Sequence, residues 1–154
     1  GPITLANKSE DSIFVPAVCG TAIYAAGDQV GPLLTIPNAG KDPYGFGVLH
    51  SITMIDRDNE KALTDLLFFC RRVTPVADNA AADFDDDDMD YLIGRFSIVA
   101  ADYVSLADNA EATVRNVGLP FTTDANGNLY VALVTRGTPT YTAVTDLRLR
   151  FGIL

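Results

Sequence analysis

The sequence predicts an all-β fold: a β-sandwich or jelly-roll-like single domain with an extended N-terminal arm and one or two short helical turns. Three observations carry that expectation. At the end of the chain, residues 146–154 alternate, with Leu147, Leu149, Phe151 and Ile153 on one side and Arg148 and Arg150 on the other. This is the period-two pattern of a strand with a packed face and a charged face. A second β-patterned run, residues 129–135 (LYVALVT), precedes it across the turn-rich Arg136-Gly-Thr-Pro-Thr. Turn signals recur along the chain at intervals of roughly ten to fifteen residues, which suits a sandwich built from about eight to ten short strands.

Residues 1–20 read as the arm, or as an edge strand. Ser9-Glu-Asp-Ser is a polar break, and Ile13-Phe14-Val15 is a short β-prone run closed by Pro16. Gly27, Gly31 and Pro32 mark turns before a strand at 33–36. Residues 37–47 (PNAGKDPYGFG) form a loop, since two prolines and three glycines leave no room for a regular element. Residues 48–56 alternate and predict a strand. Residues 63–72 (LTDLLFFCRR) are almost continuously apolar in the middle, which reads as a buried strand, with a helix as the alternative.

Residues 73–82 are a connection. At 83–92 the run DFDDDDMDYL predicts a helical turn, its aspartates capping free N–H groups and complementing the dipole, with Gly94 as the stop. Residues 95–100 follow as a strand, and a second helical turn fits near 103–106. Residues 113–119 and 121–123 are strand-like, broken by Pro120, and Asp124-Ala-Asn-Gly-Asn is a tight turn whose Asn-Gly accepts positive φ. The domain proper is expected over residues 21–154.

Composition narrows the function classes. The 154 residues carry 11 Lys+Arg against 20 Asp+Glu, a formal charge of −9. Such a chain repels phosphate backbones, so no nucleic-acid partner is expected. The basic residues are scattered, and Arg71-Arg72 is the closest cluster. No run approaches the roughly 18 apolar residues that span a bilayer, so no membrane partner is expected. Cys19 and Cys70 lack zinc-ligand spacing and sit in apolar surroundings. The N-terminal residues show no signal-peptide pattern, and Gly1-Pro2 carries no weight.

No catalytic constellation emerges, and no cofactor or metal is expected. The aspartates at 83, 85–88 and 90 invite a calcium site, but the EF-hand spacing fails: Gly94 stands where the bidentate Glu belongs. A solvated acidic turn is the expectation. His50 is the sole histidine, mid-strand and in register with Val48 and Ile52. A core or interface role suits it better than general-base work, and Ser51 beside it points to the opposite face. Tyr44 and Phe46, flanked by glycines, suit either a contact site or a plug into the core. A carbohydrate-binding module would use Tyr44, Phe46 and Tyr141 as stacking platforms.

One resemblance covers roughly residues 20–154. It is carried, in order, by Ala22-Ile-Tyr-Ala-Ala-Gly-Asp-Gln-Val-Gly, Leu66-Leu-Phe-Phe, Asp78-Asn-Ala-Ala, Ala101-Asp-Tyr, Asp108-Asn-Ala, Val117-Gly-Leu-Pro-Phe, the run from Leu129 to Tyr141, and the run from Asp146 to Leu154. This set resembles small tailed-bacteriophage virion proteins. The resemblance implies a non-enzymatic head decoration or cement protein, β-rich and homotrimeric. It implies the major capsid protein as partner and the capsid surface as location, after assembly in the host bacterial cytoplasm. A tail, baseplate or head-fibre component is the alternative. The residues expected at partner interfaces are Ile13, Phe14, Val15, Tyr44, Phe46, Arg148 and Arg150, the two arginines pairing with carboxylates of a neighbouring subunit.

Overall fold

The computed structural model describes residues 12–154. Among these residues, ten strands make two antiparallel sheets packed face to face, an all-β fold as the alternation predicts. They are β1 (Ser12–Pro16), β2 (Gln29–Ile36), β3 (Phe46–Asp56), β4 (Thr64–Phe69), β5 (Leu92–Ile98), β6 (Tyr103–Leu106), β7 (Asn109–Val114), β8 (Leu119–Thr122), β9 (Leu129–Thr135) and β10 (Leu147–Ile153). The six-stranded sheet runs β1-β10-β3-β7-β6, with β8 also on β3; the four-stranded sheet runs β2-β9-β4-β5.

The pairings β1:β10, β2:β9, β3:β8 and β4:β5 are those of one long antiparallel ribbon folded back on itself and rolled into two sheets. That is jelly-roll topology. The β6–β7 hairpin is an addition that extends the six-stranded sheet beyond β3.

The core lies between the sheets. Leu147, Leu149, Phe151 and Ile153 all point into it, as their alternation predicts. Phe68 of β4 meets Phe151 of β10 edge-on at 5.9 Å between ring centroids. Strand β9 is buried along its whole length. Its Leu129, Val131 and Leu133 join the main core, while Tyr130 and Ala132 pack with Phe69, Phe84 and Tyr91 on the far side of the four-stranded sheet. Residues 70–91 cover that far side. Among the described residues, none covers the outer face of the six-stranded sheet in this way.

Several boundaries differ from the sequence expectation, each for a physical reason. β2 begins at Gln29 rather than residue 33. Gly31 and Pro32 sit in an irregularity between Val30 and Leu34, on an edge strand where a missing N–H costs little. Pro120 lies within β8 for the same reason. Gly94 does not stop a helix; it sits inside β5 opposite Phe68, and a Cβ there would come within 2.9 Å of Leu119. The second helical turn is a short 3-10 turn at Ala100–Asp102, and the residues expected to be helical are β6.

The aspartate run forms a 3-10 turn, Asp86–Tyr91, but Asp85 makes no side-chain cap. Asp88 instead accepts the Thr74 N–H at 2.9 Å. Residues 1–11 of the expected arm lie outside the described residues. From Ser12 the chain is an edge strand of the sandwich, with Ile13 and Val15 in the core.

The inter-sheet aromatic contact yields a stability prediction. Phe68→Ala and Phe151→Ala should each cost about 3–5 kcal/mol. The double variant should cost less than their sum, because the second truncation removes a contact already lost. Urea denaturation of the four proteins measures this, and strictly additive losses would show that the rings are not coupled.

Candidate functional site

The rolled ribbon gathers three connections at one end: residues 37–45, 70–91 and 123–128. Between them lies a groove of about 790 Å³. Ile93 of β5 and Pro120 and Phe121 of β8 line it, along with Tyr44 and Phe46, Arg71 and Arg72, and Asp124 to Asn126. These come from two unpaired strand edges and three loops, so the groove exists only in the folded roll.

The 37–45 loop is tightly folded. A Cβ on Gly45 would fall within 2.2 Å of the Gly40 carbonyl oxygen, so only glycine lets the two limbs touch. Tyr44 itself takes φ 54°, a left-handed conformation that non-glycine residues adopt at a cost. Its N–H donates to the Asp124 carbonyl at 2.8 Å. The outcome is that Tyr44 and Phe46 are 64% and 70% exposed. They do not plug the core, which settles the two readings of this loop in favour of a surface position.

The opposite wall is stiffened from within. Asp124 accepts the Tyr130 hydroxyl at 2.6 Å and the N–H groups of Asn126 and Asn128. Burial raises the Asp124 carboxyl, but the Tyr130, Asn128 and Asn126 bonds outweigh it and hold the group below its ordinary range. Arg71 stacks on Tyr91 with its guanidinium 4.9 Å from the ring centre. The groove is thus an aromatic and guanidinium surface on an otherwise acidic chain.

A second surface is the open face of the six-stranded sheet. Phe14, 38% exposed, lies opposite Arg150 across the β1:β10 ladder. The Arg148 and Arg150 guanidiniums sit 5.7 and 5.1 Å from its ring centre. Both are cation–π contacts, which bias two long side chains toward this ring. Arg148 also donates from Nε to the Thr145 carbonyl. Of the seven expected interface residues, Phe14, Arg148 and Arg150 therefore meet on this face, and Tyr44 and Phe46 share the groove. Ile13 and Val15 are buried in the chain's own core, because alternation along β1 turns them inward. They are unavailable to a partner.

Three further sequence readings change. His50 does not share a side with Ile52. Gly152 pairs with Ser51 and Ile153 with Leu49, so His50 is the extra residue of a β-bulge. The bulge resets the alternation, and His50 and Ser51 are both half-buried. Tyr141 is buried beside Tyr24, so it is no stacking platform for a sugar. Among the described residues, no cluster of three or more His, Cys, Asp or Glu is arranged to hold a metal ion, and no helix is long and apolar enough to cross a membrane.

One network escaped the sequence reading. Asp65 of β4 accepts the Arg136 Nε at 2.7 Å and the Ser97 hydroxyl, with Arg95 at 3.6 Å. Burial raises its carboxyl, but Ser97, Arg136 and Arg95 together pull it below the ordinary range. The near-continuous apolar character of 64–69 hides it, since Asp65 looks like a lone charge in an apolar run.

No protein-family model matches the chain, and no curated protein matches it.

The two depressed carboxylates set a pH dependence. Each binds its proton more readily unfolded than folded, so its contribution is complete above the ordinary carboxylate range, near pH 4. That contribution disappears as the pH falls through the lower folded values. Melting temperature should therefore drop steeply below about pH 4. Asp65→Asn should be less stable than wild type at pH 7, and the gap should close on acidification; a gap independent of pH would exclude the Asp65 network as its source.

Proposed function

We propose that this chain is a non-enzymatic structural protein of a tailed-bacteriophage virion, a decoration or cement protein that binds the major capsid protein on the outer surface of the shell. The observation that carries the proposal is the end groove. Tyr44, Arg71 and Arg72 on loops and Phe46 at the start of β3 present, at one end of a jelly roll, residue types enriched in protein–protein interface cores. A stiff double-sheet body suits a part that must hold its shape while docked, and many copies on one shell turn modest contacts into avidity. The ordered set of segments from residue 22 to residue 154 supports the same family. The acidic surface keeps free copies soluble before docking.

The test uses particles assembled without this protein. They should inactivate faster on heating than complete particles, and adding back the purified chain should restore resistance. Protein carrying Phe46→Ala, Arg71→Glu and Arg72→Glu should fold normally yet fail to restore it, since all three positions are on the surface. Equal heat resistance with and without the chain would overturn the decoration role. Gold-labelled protein seen on the tail or baseplate would move the chain to that part of the virion instead.

A further inference from the structure

We propose that the open face of the six-stranded sheet is a two-fold interface between two copies of this chain. The argument rests on one row of side chains. Strand register places Pro16, Arg148, Ile55, Glu111 and Val104 side by side across β1, β10, β3, β7 and β6. All five face outward, because their strand neighbours Val15, Leu149, Met54, Ala112 and Tyr103 are buried in the core. The row reads apolar, cation, apolar, anion, apolar.

Such a row is complementary to its own reverse. A second copy turned about an axis along β3 lays β10 of each copy over β7 of the other. Arg148 then faces Glu111 of the second copy, twice over. Ile55 meets Ile55 on the axis, and Pro16 meets Val104, which is 56% exposed in the single chain. This is an isologous contact, and it closes with two copies. One row along, Arg150 faces Thr113.

The charges are available for it. Among the described residues, neither Arg148 nor Glu111 has an oppositely charged partner within 4.0 Å. Glu111 accepts one hydroxyl, from Thr113 at 2.7 Å. Phe14 holds both guanidiniums over the face rather than leaving them free in solvent, so less side-chain freedom is lost on pairing. The other sheet offers no equivalent, since residues 70–91 already cover it.

The footprint sets the strength. Five strands about 4.8 Å apart, over roughly 20 Å of length, give on the order of 500 Å² per copy. That is below the ~800 Å² per partner of a standard interface, so the dimer should be a weak, reversible one. The two-fold operator differs from the three-fold assembly that the family resemblance implies.

Sedimentation of the purified chain across the micromolar range tests this. Wild type should pass from monomer to dimer with rising concentration, and added salt should weaken it. Arg148→Glu and Glu111→Arg should each raise the dissociation constant about tenfold or more, by setting like charges face to face. The combined exchange should restore it to within about threefold of wild type. Arg148→Gln replaces Arg148→Glu if thermal melting shows that variant to be unfolded. A monomer at every concentration, a trimer, or a dimer indifferent to both single reversals would overturn the proposal. The measurement uses free protein, so its outcome is independent of where, or whether, the chain sits on a capsid.

Discussion

Strand β9 must be buried on both faces, and the rest of the molecule is arranged around that requirement. Its sequence, LYVALVT, has no polar side to give to water. The six-stranded sheet takes one face, through Leu129, Val131 and Leu133. The other face needs a cover that no sheet supplies. Residues 70–91 provide it, laying Val73, Phe84 and Tyr91 over Tyr130, Ala132 and Phe69. The same segment meets the start of the β2 edge, where backbone bonds tie Asn79 and Ala80 to Gln29 and occupy that end of the edge. Covering β9 thus also carries Arg71 and Arg72 to the groove and places the aspartate turn outside the four-stranded sheet. Among the described residues, the asymmetry between one covered sheet and one uncovered sheet follows from a single strand.

The groove depends on the same arrangement by a different route. Jelly-roll winding sends the β2–β3 and β8–β9 connections across the same end of the sandwich. There they bond to each other, Gly40 to Gly127 and Tyr44 to Asp124. Tyr44 holds a left-handed backbone because these bonds and the glycine contact over-determine it. Strain of this sort persists where the surroundings fix it and tends to gather at working surfaces. Here it accompanies a Tyr44 ring that is 64% exposed.

How much of this was legible in the sequence depends on the length of the contact involved. The alternation of 147–153 could be read directly because one face of β10 is packed and the other bare, so periodicity maps onto burial. The double burial of β9 was less visible, since continuous apolar character says nothing about what covers the second face. Pro32, Gly94 and Pro120 misled for a common reason: each is a local breaker by propensity, yet each sits on an edge strand where the ladder tolerates it. Counting in twos puts His50 on the face of Ile52, and one bulge residue defeats such counting. Ile13 and Val15 were grouped with Phe14 as adhesive, although the same rule of alternation separates them. The groove could not be read at all, because its residues come from positions 44 to 126 and meet only through the roll.

Net charge was the most decisive bulk number in the sequence and is the least informative about contacts. A value of −9 describes the long-range field, which falls off within about 10 Å at ordinary salt. At contact range the chain is not uniformly acidic. The aspartates at 85–87 and 90 crowd the exterior of the covered sheet. The bare sheet presents Arg148 and Arg150 over Phe14, and the groove presents Arg71 and Arg72. The densest run of acid therefore lies over the four-stranded sheet, while the two open surfaces combine arginines with single carboxylates, Glu111 on the sheet face and Asp124 in the groove wall. Repulsion between like-charged copies is strongest at the aspartate turn and weakest at the bare sheet and the groove. For an acidic partner, a second copy included, that bias favours approach at the two places where aromatic and guanidinium groups lie together.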